Sequence, residues 1–337
     1  MTARRPTIAD VARHAGVSKG AVSFALNGRA GVSEETRQRI LDAAAELGWS
    51  PSHRARALSS KRAFSLGLVL ARDPDLLGAD PFFPAFIAGV EKVLAERDQT
   101  LVLQVVTSPA AEEAGYRRLA RDGRVDGVFV VDLRRADPRI ALLEEIGLPA
   151  VTLNRPDVPS PFPAVILDDR PGISAAVAHL AGLGHTAIAH VSGPEVFLHA
   201  KNRRDAYDRA MADAGCTPRV VTGDFTAAGG REATHALLTA PDRPTAIVYA
   251  NDVMALSAIA VAAELGLRIP EDLSITGYDD TTLAGYVHPA LTTVRADARS
   301  WGEAAATTLL ALVDGQDTAD TTLPPAELIL RRSTSAH

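Results

Sequence analysis

Residues 7 to 28, running Thr-Ile-Ala-Asp-Val-Ala-Arg-His-Ala-Gly-Val-Ser-Lys-Gly-Ala-Val-Ser-Phe-Ala-Leu-Asn-Gly, admit few arrangements other than two short helices joined by a tight turn. Thr7 is placed to N-cap the first helix, and Asp10 stands three residues on, where a carboxylate can answer the cap. Ile8, Val11 and Ala12 fall on one helical face. Gly16 supplies the positive φ that a tight helix-ending turn needs. Val17 follows as a buried turn residue, Ser18 caps a second helix with Val22 and Leu26 inward, and Gly28 ends it. This is the helix-turn-helix pattern, whose second helix can lie in a DNA major groove with its N-terminal residues toward base edges.

Charge is divided to match. Residues 1–62 hold 11 Lys and Arg against 5 Asp and Glu, whereas the remaining chain holds 24 against 36. A basic head on an acidic body suits contact with a polyanion at one end only, although a solvated face would also look basic. At 337 residues the chain suits a small module plus a larger body. The single cysteine, Cys216, excludes a disulfide framework and a multi-cysteine zinc site, which points to the reducing cytoplasm. No apolar run reaches the roughly 18–20 residues that span a bilayer. The basic N-terminus leads into an amphipathic helix where a signal peptide would have an apolar core. No cofactor and no membrane contact are expected.

A third helix is expected from Ser33, with Glu34 and Glu35 in its first turn, where the helix dipole favours acids. Ile40, Ala44 and Leu47 form its inner stripe and Gly48 closes it. The segment from Trp49 to Lys61 is short, basic and almost without apolar anchors, so by itself it reads as a linker. From Ser65 onward β-rich and helical runs alternate. The strand-like runs are Leu66–Ala71, Thr100–Val106, Gly127–Val131, Ala150–Leu153, Ala187–Ser192, Val220–Gly223, Ala246–Ala250 and Leu273–Tyr278. Helical patterns such as Phe86–Arg97, Ile173–Leu183, Arg203–Ala214, Arg231–Leu238 and Asp252–Leu265 lie between them. The alternation predicts parallel sheets with helices on both faces. About eight such units are too many for one comfortable open sheet, which leads to two lobes.

The run Thr7-Ile8-x-Asp10-Val11-Ala12-x-x-Ala15-Gly16-Val17-Ser18-x-x-x-Val22-Ser23-x-x-Leu26-Asn27 resembles the N-terminal signature of the LacI/GalR family of bacterial transcription regulators. The resemblance implies a helix-turn-helix headpiece over 1–50, a hinge over 51–62 and a two-lobed α/β body over 63–337. That body is similar to periplasmic sugar-binding proteins, with lobe crossings near 162, 290 and 323. In the family the hinge segment, matched here by Ser50-Pro51 and Ala55-Arg56-Ala57-Leu58, becomes helical on operator DNA. Paired hinge helices enter the minor groove, and the residue matched by Leu58 wedges a base step open. Lys19, Gly20 and Phe24 occupy the recognition-helix slots that set operator choice. Lys19 can donate to guanine or phosphate, Gly20 has no side chain to read with, and Phe24 either touches a thymine methyl or packs inward. Thr7, Ser18, Ser23 and Asn27 match positions that bind phosphate or cap helices. Arg54, Arg56 and Lys61 would add salt-dependent phosphate affinity.

In open α/β folds ligands sit at the carboxyl ends of strands, and several polar and aromatic residues follow directly on the strand-like runs. Asp80-Pro81-Phe82-Phe83 matches a family motif whose aromatic pair, Phe82 and Phe83, faces the cleft, and sugars and purines both stack on such rings. Asn251 and Asp252 follow one strand and Asp279 another, inside a Gly277-Tyr278-Asp279-Asp280 motif typical of the family. Each can also cap the next helix. Arg203 stands where relatives use a ligand-binding arginine, and Phe225 matches a cleft aromatic. Asn154-Arg155 and Asp168-Asp169 give weaker candidates in Arg155 and Asp168. Where purine-binding relatives carry an Arg and a Thr this chain has Phe197 and His199, which favours a mono- or disaccharide effector.

Enzyme readings find little support. The run Gly182-x-Gly184-x-x-Ala187 ends a helix and precedes a strand, the reverse of a dinucleotide loop. There is no Gly-x-Ser-x-Gly elbow or Walker loop, and no histidine pair is spaced as zinc ligands. An exported sugar-binding protein would lack the basic headpiece and carry a signal peptide. The expectation is therefore a cytoplasmic, nucleoid-associated homodimer on a pseudo-palindromic operator, because one headpiece touches too few bases for specificity. No leucine heptad follows the strand-like Leu328–Leu330, so no tail-mediated tetramer is expected.

Overall fold

The computed structural model describes residues 6–26, 30–49, 62–72, 78 and 80–337. They divide into a headpiece, ending at Phe64, and a body from Ser65 to His337. Asn27 and the hinge residues Arg54, Ala55, Arg56 and Leu58 lie outside the described residues.

The headpiece contains α1 (Ile8–His14), α2 (Lys19–Leu26) and α3 (Glu34–Glu46). Asp10 Oδ2 accepts from the Thr7 backbone N–H at 2.9 Å and from its hydroxyl at 2.7 Å. Ser18 Oγ accepts from Ala21 N at 3.1 Å and Ser33 Oγ from Thr36 N at 3.3 Å. These bonds satisfy amide groups that a helix start leaves without partners. Gly16 turns the chain between α1 and α2 at φ +67°. Val11, Val22 and Ile40 are fully buried among small alanines, and Ile8, Val17, Leu26, Leu47 and Trp49 pack around them.

The body holds two sheets. In lobe 1, β1 (Ser65–Ala71), β2 (Thr100–Val106), β3 (Gly127–Val130), β4 (Ala150–Leu153) and β5 (Ala164–Ile166) are joined by β11 (Thr321–Thr322) from near the chain end. Their order is β11-β5-β4-β3-β1-β2, all parallel. Lobe 2 holds β6 (Ile188–Ser192), β7 (Arg219–Thr222), β8 (Ala246–Tyr249), β9 (Ser274–Tyr278), β10 (Thr292–Arg295) and β12 (Glu327–Ile329). Their order is β12-β10-β9-β8-β6-β7, with only β12 antiparallel to its neighbour. Helices α4 (Phe82–Glu96), α5 (Pro109–Arg121), α6 (Pro138–Glu145) and α11 (Ala298–Val313) cover lobe 1. Helices α7 (Arg170–Gly182), α8 (Leu198–Asp213), α9 (Ala227–Thr239) and α10 (Asp252–Glu264) cover lobe 2. Central strands β3, β4, β6, β8 and β9 are buried along their whole length, as strands covered on both faces must be.

The chain passes between lobes at 167–169, 296–297 and 323–326, where the family resemblance put crossings near 162, 290 and 323. Positions 162 and 290 still belong to the lead-ins of β5 and β10, short strands that the β-rich runs did not announce. Lobe 1 is closed by α4 against α11, which touch backbone to backbone. A Cβ on Gly89 would come 2.1 Å from the Arg299 carbonyl oxygen, and one on Gly302 would come 2.2 Å from that of Phe86.

Candidate functional site

On the headpiece, α2 buries Val22 and Ala25 and turns Lys19, Gly20 and Phe24 to solvent. Phe24 is 41% exposed, its ring lying along Gly31, so it is not part of the headpiece core. Ser18 is engaged as a helix cap, Thr7 is held by Asp10, and Ser23 is half-buried on the same helix.

Between the lobes of the body lies a cleft of about 730 Å³, part of it open to solvent. Four non-glycine residues of its wall leave their strands with positive φ: Asp132 (+49°), Asn154 (+67°), Phe225 (+69°) and Asp279 (+111°). L residues enter that region reluctantly, Asn and Asp least so, and such turns gather at ligand sites. Here they aim side chains into the space beyond the carboxyl ends of β3, β4, β7 and β9, where an open α/β sheet binds ligands. Phe225 is the bulkiest of the four. Its turn is held by Asn251, whose Nδ2 donates to the Phe225 carbonyl at 2.9 Å while Oδ1 caps α10 by accepting from Met254 N at 3.0 Å. Gly193 leaves room for the ring, since a Cβ there would lie 2.0 Å from Phe225 Cζ.

Two aromatic surfaces face the cleft. From lobe 1, Phe82 meets Trp301 edge to face at 6.0 Å. In lobe 2, the His199 ring stacks between Phe197 at 5.5 Å and Phe225 at 5.4 Å. Burial and the nearby Arg203 charge push His199 down to about 4, so the imidazole is neutral near pH 7.

Two buried arginines stand beside these rings. Arg72, at the end of β1, donates from Nε to Asp132 Oδ2 at 2.8 Å, and its guanidinium lies 4.9 Å from the Phe197 ring centre across the cleft. Burial works to raise the Asp132 carboxyl, but Arg72 and its neighbours hold it below the usual range. Arg203, on α8, lies flat over Tyr278 at 3.5 Å and donates to the Ala250 carbonyl at 2.7 Å. Its Nε faces Asp169 Oδ2 at 3.4 Å, and neither atom has a hydrogen-bond partner among the described residues. The Tyr278 hydroxyl donates to the other Asp169 oxygen at 2.7 Å. Burial drives the Asp279 carboxyl well above the usual range, only partly offset by Arg203. Asp80 is raised by burial in the same way.

Of the expected cleft residues, Phe82, Arg155, Arg203, Phe225, Asn251 and Asp279 line the space. Phe83, Asp168 and Asp252 do not. Successive helical residues diverge by about 100°, so with Phe82 at the cleft Phe83 turns into the lobe 1 core, 1% exposed. Asp168 is engaged by the guanidinium of Arg170, with Oδ1 at 2.8 Å from Nε. Asp252 is fully buried, accepting from Thr293 Oγ1 at 2.5 Å and Thr281 N at 2.8 Å. Arg72, Asp132, Asn202 and Trp301 line the cleft without a sequence expectation. The strand-end rule that singles out Asp279 also fits Arg72 and Asp132. Asn202 and Trp301 sit inside helices, where nothing local marks them.

A helix-turn-helix headpiece and a two-lobed α/β body with a polar, aromatic-walled cleft together define a ligand-binding, DNA-binding regulator. Residues 7–52 match the lacI family of bacterial regulatory proteins, and residues 177–334 match the periplasmic binding protein-like domain. The chain is 34% identical over 332 residues to the HTH-type transcriptional regulator CelR of Thermobifida fusca, covering 97% of this chain and 96% of that protein. It is 34% identical over 309 residues to the transcriptional repressor PurR of Escherichia coli O139:H28, covering 90% and 89%. Among solved structures it is similar to a CelR–cellobiose complex, with TM-score 0.75, 34% identity and coverage of 98% and 100%. It is also similar to the Lac repressor dimer bound to operator and an anti-inducer, with TM-score 0.85, 30% identity and coverage of 99% and 100%. The chain belongs to the LacI family, and is a DNA-binding transcriptional regulator, not an enzyme. No described helix is long and apolar enough to cross a membrane.

Proposed function

We propose that the chain is a homodimeric repressor of carbohydrate-utilisation genes, holding a pseudo-palindromic operator until a small sugar enters the interlobe cleft. The observation that carries the sugar reading is the cleft wall. Carboxylate, guanidinium and amide groups stand beside aromatic faces, the combination that suits hydroxyls, which both donate and accept, on a ring with a flat apolar side. The likeness to a regulator solved with cellobiose supports it.

Lys19, Gly20, Phe24, the helix-start residues Thr7 and Ser18, and Ser23 within α2 face the DNA in this reading, with Asn27, Arg54, Ala55, Arg56 and Leu58 continuing the contact. Phe82, Arg203, Phe225 and Asp279 contact the effector. Arg155 sits at the rim, engaged with Asp320, and Asn251 acts by fixing Phe225.

A purine effector is the second reading, favoured by the likeness to PurR. Against it, this chain has Phe197 and His199 where the family resemblance gives purine binders an Arg and a Thr, and His199, stacked between two phenylalanines, is neutral. Calorimetry of the full chain against maltose, cellobiose, melibiose and glucose, with hypoxanthine and guanine alongside, tests the choice. Sugar binding that Asp279→Asn abolishes is expected. Purine binding with no response to any sugar would overturn the carbohydrate reading.

A further inference from the structure

We propose that the cleft takes a polyhydroxyl ligand without an anionic group, and that Asp80 enforces the exclusion of phosphorylated and carboxylated sugars. The proposal rests on the carbohydrate reading above and concerns which carbohydrates qualify.

A site built for an anion holds a cation or a ring of amide N–H groups in reserve. Each cation lining this cleft already has a carboxylate. Arg72 is bonded to Asp132 at 2.8 Å, Arg203 faces Asp169 at 3.4 Å, and Arg155 is paired with Asp320. The lining contains no lysine. By contrast, among the described residues neither Asp80 of lobe 1 nor Asp279 of lobe 2 has a cation within ion-pair distance, though both line the cleft. The two carboxylates are close enough to influence each other, and Asp80 also feels the charges of Arg72 and, less strongly, Arg203.

The second line of support is the start of α4. The N-terminus of a fifteen-residue helix carries partial positive charge and bare N–H groups that attract anions. Here that place is filled from within the chain, because Asp80 Oδ1 accepts from Phe82 N at 3.0 Å. The start of α10 is likewise occupied, by Asn251. An entering phosphate would thus meet an internal carboxylate at the place where a helix would otherwise receive it. Hydroxyl groups meet no such conflict. They can donate to Asp80 and Asp279, both of which line the cleft.

The test is calorimetry of the full chain at pH 7.5 with matched pairs: maltose and maltose 6′-phosphate, cellobiose and cellobionate, trehalose and trehalose 6-phosphate. Each pair is repeated with Asp80→Asn, which keeps the oxygen that caps Phe82. For whichever neutral sugar binds, its anionic partner is expected to bind more than tenfold more weakly, the scale of one charge repulsion in a partly desolvated site. Asp80→Asn should narrow that ratio at least about threefold. An anionic sugar binding as tightly as its neutral partner overturns the proposal and leaves the carbohydrate reading standing. An unchanged ratio in Asp80→Asn overturns the role of Asp80. Hypoxanthine binding, or no response to any sugar, overturns the carbohydrate reading and this proposal with it.

Discussion

Asn251 holds Phe225 in place: its Nδ2 donates to the Phe225 carbonyl at 2.9 Å, across the turn where that residue adopts φ +69°. The same amide caps α10 through Oδ1, so one side chain fixes both a helix start and an aromatic wall of the cleft. Asn251→Asp keeps the acceptor and loses the donor, bringing a carboxylate against a carbonyl. Stability is expected to fall by about 1–3 kcal/mol, read from urea midpoints, and sugar affinity is expected to fall with it as the Phe225 ring is released. An unchanged sugar Kd would mean that the ring is held by its stacking on His199 alone.

The α4–α11 crossing makes a sharper stability prediction. At Gly89 an added methyl meets the Arg299 backbone oxygen at 2.1 Å, and backbone cannot rotate aside. Gly89→Ala is expected to cost about 1–3 kcal/mol, as overpacking in a tight core does. Gly123→Ala, at φ +57° with nothing nearby, is a control for backbone strain without a clash. A Gly89→Ala melting temperature equal to wild type would show that the helices can slide apart.

His190 sets an acid limit. It is fully buried in β6, donates from Nδ1 to the Val248 carbonyl at 2.8 Å and stacks on Tyr207 at 4.9 Å. Burial pushes it down to about 4, against the ordinary 6.5 of the unfolded chain. Its contribution is therefore fully present above about pH 6.5 and is lost as pH falls toward 4, because the unfolded chain takes up the proton first. Between pH 7.5 and 5 the loss should be about 2 kcal/mol. Asp252, pushed up to about 6 by burial, works in the opposite direction by favouring the folded state at lower pH. The measurement is thus wild type against His190→Gln, whose acid limb should be flatter. Parallel limbs would remove His190 as the cause.

Phe24 is expected to read an apolar base edge. At 41% exposure on α2, beside Gly20, it presents a ring where no hydrogen bond can be made. A thymine methyl is the apolar group of the major groove. Replacing single thymines by uracil in a selected operator should cost about 1 kcal/mol at one position per half-site, and Phe24→Ala should erase that cost. A uniform loss of affinity for all duplexes would instead indicate a nonspecific contact.

Much of this architecture is legible in the residues. The capped helices of the headpiece and strands β2 and β4 follow from local patterns, with the capping bonds visible at Asp10, Ser18 and Ser33. The short strands β5, β10 and β11 are not legible from their own residues and form where a lobe already offers a neighbouring strand to pair with. The cleft shows the same division. Asp279 and Asn251 announce themselves by following strands and Phe225 by its match to a family cleft aromatic, whereas Trp301 reaches the cleft from a helix that crosses back from lobe 2, a connection no local signal encodes. Phe83 misses the cleft because it packs into the lobe 1 core, and Asp252 because Thr293 and Thr281 hold its carboxylate in the interior.

The coupling between cleft and operator is tested most directly by fluorescence anisotropy of a duplex selected from random sequence by the full chain. Its Kd is measured at fixed salt, with and without a saturating sugar identified by calorimetry, in wild type and in Asp279→Asn. The expected result is an operator Kd raised at least about fivefold by sugar in wild type and unmoved in Asp279→Asn, with sugar-free affinities equal. An operator Kd that stays constant while the sugar demonstrably occupies wild type would contradict the linkage.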